Sequence, residues 1–150
     1  QHPAEAERLR ADRARIPNAI DEILRWGFGG PGGLPRYALR DFALRGKPIR
    51  KGQMLMLSFS GANRDPAIWR DPDRFDIDRD CRELSVFGNG PHYCLGANLA
   101  RGEMGAMVDA VLDILPDGSV IREDQFQFES LGFFRRPLNL PVQVGAASSA

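Results

Sequence analysis

The stretch Phe87-Gly88-Asn89-Gly90-Pro91-His92-Tyr93-Cys94-Leu95-Gly96 decides how this chain is read, because it sets one cysteine on a glycine-rich loop just before a segment of helical composition. Gly88 and Gly90 admit backbone conformations that a Cβ disfavours, and such turns direct main-chain N–H groups toward a neighbouring sulfur. From Leu95 onward the sequence reads as helix. Cys94 is therefore expected at a helix N-terminus, where unpaired N–H groups and the helix dipole favour negative charge. That setting suits a thiolate bound to a metal. Without it, a lone cysteine is usually a small buried hydrophobe, and His92 alone reads as an exposed loop histidine.

Working outward from the loop, Ala100, Met104, Met107, Val108, Val111 and Leu115 form a helical stripe that predicts a core-facing side, while Arg101, Glu103 and Asp109 fall on other faces. Gly102 and Gly105 each cost about 1 kcal/mol in a helix interior. They signal either close approach by a neighbouring element or simple tolerance. On the N-terminal side of the loop, residues 61–80 carry too much Asp and Pro for long elements and predict a short helix followed by a coil. Segments from Arg36 to Asp41, Phe42 to Arg50 and Gln53 to Ser60 read as short strands.

Further upstream, Ala4 to about Ala14 favours helix, and Pro17 suits the first turn of a second one. In that second helix Ile16, Ile20, Ile23, Leu24 and Gly27 share one side. Glu22 and Arg25, three residues apart, meet on its surface, although most such pairs are solvated and of little energetic value. Beyond the turn at Pro116-Asp117-Gly118, Phe126, Phe128 and Val142 lie in partly alternating segments that predict small hairpins. Gly145 to Ala150 reads as a disordered tail.

Composition narrows the function. Twenty basic and twenty acidic residues cancel, which argues against a nucleic-acid or anionic-membrane surface and favours a small neutral partner. A hydrophobic share of 43% supports a core. The apolar run Met54 to Leu57 is far short of the roughly 20 residues that span a bilayer, and no signal peptide is recognisable. Cys81 and Cys94 are too few for a disulfide framework and fit a reducing cytoplasm. Neither cysteine has zinc-site spacing with His92. Cys81 is left without a role. The first residue, Gln1, points to a fragment or a processed product.

Phe87, Gly90, Cys94 and Gly96 satisfy Phe-x-x-Gly-x-x-x-Cys-x-Gly, a pattern that resembles the haem-ligand loop of the cytochrome P450 family. The longer run GPHYCLGANLAR, residues 90–101, is similar to bacterial members in particular. The resemblance implies Cys94 as the axial thiolate ligand of haem iron, hence the catalytic and metal-binding residue. It further implies haem b (iron-protoporphyrin IX) as cofactor, with Phe87, Gly88, Leu95 and Gly96 around the ligand and with Arg36 and His92 at the propionates. Glu22 and Arg25 become a buried structural pair, joined by Arg74 from the stretch Pro72-Asp73-Arg74-Phe75.

The implied fold is mainly α with small β-sheets (α+β), the C-terminal part of the P450 fold, with a haem-binding portion over residues 1–144 and a tail over 145–150. The family's distal helix, with its acidic residue and threonine, has no counterpart in these residues. The implied activity is that of a monooxygenase inserting one atom of O2 into an apolar organic substrate. Electrons would come from a separate partner such as ferredoxin and its reductase, since no flavin or nicotinamide fingerprint is visible. Gly29 to Leu34 and Leu131 to Arg135 are the implied pocket-lining segments. Two alternatives stay open: a truncated or degenerate haem-binding domain without oxygen chemistry, and a relative that uses peroxide or catalyses rearrangement.

Overall fold

A computed structural model describes residues 2–27, 33–116, 118–131 and 134–145. The tail beyond Gly145 and much of the two pocket-lining segments lie outside the described residues. The N-terminal helix α1, Pro3–Ala11, stops earlier than its composition suggests, because the Asp12 carboxylate accepts the Ala14 N–H and starts a 3-10 turn over Arg13–Arg15. That turn leads into α2, Ile16–Gly27, which buries Ile16, Ala19 and Ile20 on the expected side.

Among the described residues, four antiparallel pairs make up the small sheets. Strand β1, Leu34–Tyr37, pairs with β4, Met54–Leu57, in the register Arg36↔Leu55. Between them in sequence lies the hairpin of β2, Phe42–Leu44, and β3, Lys47–Ile49. A Cβ at Gly33 would stand 2.0 Å from the Leu57 carbonyl oxygen, so only glycine lets the chain enter β1. The strand expected to reach Ser60 ends at Leu57, because Ser58 turns to cap helix α3, Phe59–Ala62, with its hydroxyl accepting the Gly61 N–H. An irregular meander then runs to the cysteine loop. Past the long helix α4, Ala97–Ile114, strand β5, Val120–Ile121, pairs with β8, Val142–Gln143. The remaining pair is β6, Phe128–Leu131, with β7, Phe134–Pro137. The described residues are thus mainly helical with small sheets, as the sequence predicts.

The core gathers Leu9 of α1, Ile16, Ala19 and Ile20 on the α2 side, Ile77 of the meander and Leu112 of α4, with Phe75, Met104 and Val108 packed around them. Fully burying side chains such as Ile20 and Ile77 contributes about 1.5–3 kcal/mol each. Helix α4 crosses α2 closely enough at Gly105 that a Cβ there would meet Ile16 Cγ2 at 3.9 Å, whereas Gly102 faces open space. A Cβ at Gly105 would make only an ordinary van der Waals contact and one at Gly102 none, so tolerance accounts for both glycines.

The predicted α4 stripe needs correction. Met104 and Val108 face the core, but Met107 and Val111 are exposed at 66% and 49%. The helix is apolar around most of its circumference, and α2 covers only one flank of it.

Candidate functional site: the cysteine loop and the buried charge knot

Backbone hydrogen bonds shape the cysteine loop. Gly88 and Gly90 take φ of 71° and 69°, values that side-chain-bearing residues rarely adopt, so the chain reverses where the sequence places glycine. A 3-10 turn over Gly90–His92 follows, started by Pro91, whose missing N–H is an orphan at that position anyway. The Cys94 N–H then donates to the Phe87 carbonyl at 2.9 Å and closes the loop. Helix α4 begins at Ala97 with Gly96 as its N-cap, two residues later than the sequence suggests. Cys94 stands just ahead of the helix and joins it through the Ala97 N–H, which donates to the Cys94 carbonyl at 3.2 Å.

The Cys94 thiol is exposed and forms no disulfide. A Cβ at Gly96 would lie 4.0 Å from its sulfur, so glycine keeps that flank clear. Leu95 is fully exposed and Leu99 is 67% exposed, leaving an apolar surface beside the sulfur. His92 is exposed on the same loop. Arg36 is exposed on β1, with one guanidinium nitrogen donating to the Pro35 carbonyl at 2.9 Å.

Behind the loop sits Arg101, in the second turn of α4. Its Nε donates to Asp21 Oδ1 of α2 at 2.7 Å and its Nη1 to Tyr93 Oη at 3.1 Å. Its guanidinium lies 4.7 Å from the centre of the Phe87 ring. Burial opposes its charge, yet the hydrogen bonds it donates to Tyr93 and Asp21 outweigh that and raise its pKa above the ordinary arginine value. Arg101 was part of the resemblance motif, but nothing in the spacing gave it this role.

The Glu22 and Arg25 pair is wholly buried, at 0% and 1% exposure. Arg25 Nε and Nη2 grip the two Glu22 oxygens at 2.6 and 2.9 Å. Its remaining donors reach the carbonyls of Asn63 at 2.9 Å, Pro72 at 2.9 Å and Arg74 at 3.2 Å. All five guanidinium protons are used, the condition under which a buried charge pair is tolerable. Glu22 Oε1 also accepts the Asp76 N–H at 2.9 Å.

The expected third arginine is corrected. The guanidinium that reaches Glu22 belongs to Arg79, whose Nε lies 3.3 Å from Oε1, while the exposed Arg74 contributes only its backbone carbonyl. Arg79 also donates to the carbonyls of Arg70, Asp71 and Arg74, holding the turn where Asp71 adopts φ 46°. Cys81, given no role by the sequence, donates its thiol to Glu22 Oε2 at 3.7 Å. Burial, reinforced by the charge of Glu22, pushes that thiol up to about 12. Asn63, also fully buried, accepts from the Ser85 hydroxyl at 2.9 Å, and its amide nitrogen has no partner among the described residues.

Two sulfurs thus have opposite environments, and only Cys94 presents one to a ligand. Among the described residues no cluster of three or more His, Cys, Asp or Glu is arranged to hold a metal ion. A metal at Cys94 would therefore need its other ligands from a bound group. A cleft of about 710 Å³ is lined by meander residues from Ile68 to Glu83 and includes none of the cysteine-loop residues. Its walls carry equal numbers of arginines and acidic residues, so it is not the place to seek an apolar ligand.

Mycinamicin IV hydroxylase/epoxidase from Micromonospora griseorubida is 42% identical over 141 residues, which cover 92% of this chain and 36% of that protein. Steroid C26-monooxygenase from Mycolicibacterium smegmatis is 35% identical and is matched over 95% of this chain and 35% of its own length. The solved structure of the bacillaene polyketide synthase cytochrome P450 PksS from Bacillus subtilis superposes with a TM-score of 0.87 at 33% identity, covering 96% of this chain and 37% of that one. The chain therefore spans just over a third of the relatives it matches, corresponding to their C-terminal part. The cytochrome P450 family profile matches residues 8–115, the span from α1 to the end of α4, and the chain belongs to that family.

Proposed function

We propose that this chain carries the thiolate-bearing portion of a haem-thiolate monooxygenase that inserts one oxygen atom from O2 into an apolar organic substrate, with haem b as its cofactor. The observation that carries the reading is Cys94: an exposed sulfur on a loop closed by its own N–H, with a glycine beside it and apolar side chains around it. A flat, largely apolar iron macrocycle fits that surroundings. The other cysteine is excluded as donor, since its thiol is buried and given to Glu22.

In this reading Cys94 would ligate the metal through its sulfur, and the Arg36 and His92 side chains would meet the carboxylates of the group. Bound iron porphyrin supplies oxygen activation, with a thiolate increasing electron density at the metal. The protein's own contributions are positional. Phe87 fixes the Cys94 backbone through its carbonyl, Gly88 and Gly90 set the reversal, and Gly96 keeps the sulfur uncrowded. Leu95, fully exposed next to the cysteine, offers an apolar side chain to the face of the bound group. Arg36 presents a planar fork of donors suited to a carboxylate.

Electrons arrive from a separate redox protein such as ferredoxin with its reductase, and the site of action is the cytoplasm. Among the described residues no helix is long and apolar enough to cross a membrane. The relatives are named for hydroxylation, epoxidation and monooxygenation of differing compounds, which supports the reaction type and leaves the substrate open.

The test is haem titration into the chain, followed by reduction and addition of carbon monoxide. The red-shifted band of thiolate-ligated haem is expected, and Cys94→Ala abolishes it while circular dichroism stays unchanged. A band that survives the substitution, or is never formed, refutes the reading. The second reading is a haem-binding portion without turnover. Haem binding with no substrate oxidation, in the presence of a redox partner, selects it.

A further inference from the structure

We propose that Arg101 is a positioning residue for Cys94, fastening both flanks of the cysteine loop to α2 through Tyr93 and Phe87. The inference rests on the haem-thiolate reading for its consequence, but its geometry stands on this chain alone.

Cys94 is held by two neighbours. Tyr93 precedes it in the chain, and Phe87 accepts its N–H at 2.9 Å. Both end on one guanidinium: the Tyr93 hydroxyl accepts from Nη1 at 3.1 Å, and the Phe87 ring lies beneath the cation at 4.7 Å. The two rings also meet edge to face at 6.3 Å. The third contact, from Nε to Asp21 at 2.7 Å, anchors the guanidinium to the residue next to the fully buried Glu22.

An ordinary exposed ion pair fixes little, because long side chains sample many geometries. Arg101 differs in three ways. Its side chain is only 31% exposed, it is held in three directions, and its planar fork is pre-organised for such contacts. Loss of the guanidinium removes one cation–π contact and one hydrogen bond from the loop, together enough for about tenfold more frequent local opening. A loop that opens more often holds its sulfur less constantly along one direction.

The experiment is amide hydrogen exchange on the full chain without cofactor, paired with the carbon-monoxide band after haem loading. Arg101→Ala and Tyr93→Phe are each expected to speed exchange of the Cys94 amide, by about tenfold for the former. The Asp76 amide, bonded to Glu22, is expected to keep its protection, which separates loop release from general destabilisation. The thiolate band weakens in both variants, and Arg101→Lys restores part of it, because an ammonium retains the cation–π contact but not the fork.

Unchanged Cys94 exchange, or a band equal to that of the unsubstituted chain, overturns the proposal while the haem-thiolate reading stands. Equal acceleration at Cys94 and Asp76 also overturns it, since the residue is then merely structural. If the unsubstituted chain gives no Cys94-dependent band but the exchange pattern holds, the haem-thiolate reading fails and the clamp survives as geometry.

Discussion

The charge knot at Glu22 and the loop at Cys94 are both centred on a reactive or charged side chain, and they are finished to opposite degrees. In the knot every guanidinium proton of Arg25 has an acceptor and both carboxylate oxygens of Glu22 are used, at 0% and 1% exposure. In the loop the backbone is closed but the side chains face outward, with Cys94, Leu95 and Leu99 all exposed. Burying a charge pair demands completeness, because one missing partner leaves an uncompensated charge in a medium of low dielectric. Receiving a ligand demands the reverse. The contrast separates residues that hold the fold from those that offer chemistry.

The two cysteines provide the largest test of that contrast. Cys81 is pushed up to about 12, so about one molecule in ten thousand carries its thiolate at pH 8. Alkylation of the folded chain, read by peptide mass spectrometry, is expected to modify the exposed Cys94 and leave the buried Cys81 essentially untouched on the same timescale. Comparable rates would break the comparison. The sign of the pH effect follows from the same shift. The folded state holds the Cys81 proton more tightly than the unfolded chain, so its contribution is complete below about pH 9 and is lost as pH rises toward about 12. Cys81→Ala should therefore flatten the alkaline limb of a denaturation series.

Stability gives the next largest effect. Glu22→Gln keeps the shape of the side chain but strands the buried Arg25 charge, and the expected loss is about 3–5 kcal/mol by urea denaturation. Cys94→Ala, at an exposed position, is expected to stay within about 0.5 kcal/mol. If the cysteine substitution destabilised the chain as much as the glutamate one, loop and knot would share a single structural role.

Local features of both regions are legible in the sequence, and contacts across long separations are not. The spacing of Glu22 and Arg25 fixes their meeting within one helix turn, and glycines at 88 and 90 mark the reversal of the loop. Ile16 and Ile20 are readable as core for the same reason: a helix face repeats within a few residues. Arg79 and Cys81 reach Glu22 across 57 and 59 residues of chain, through a meander whose turns no periodicity encodes. Met107 and Val111 are misjudged because apolar spacing says that a face can be buried without saying which neighbour reaches it. Arg101 sits in plain view within the motif, yet its role depends on Asp21, 80 residues earlier.

The smallest effect sharpens the knot itself by setting Arg79 against Arg74. Both lie in the meander and both touch the network, but Arg79 does so through its side chain and Arg74 through its carbonyl. Arg79→Ala removes the Nε contact to Glu22 and three contacts to carbonyls, among them that of Asp71, which holds a left-handed conformation. The carboxylate keeps its bonds from Arg25 and from the Asp76 N–H, so the cost should be partial, about 1–3 kcal/mol. Arg74→Ala leaves the carbonyl in place and truncates an exposed side chain, for which a change within about 0.5 kcal/mol is expected. Reversed magnitudes in the same denaturation series would return the third place in the knot to Arg74. A double substitution no worse than Arg79→Ala alone would show that the Arg74 side chain takes no part, because independent contributions add and an absent one adds nothing.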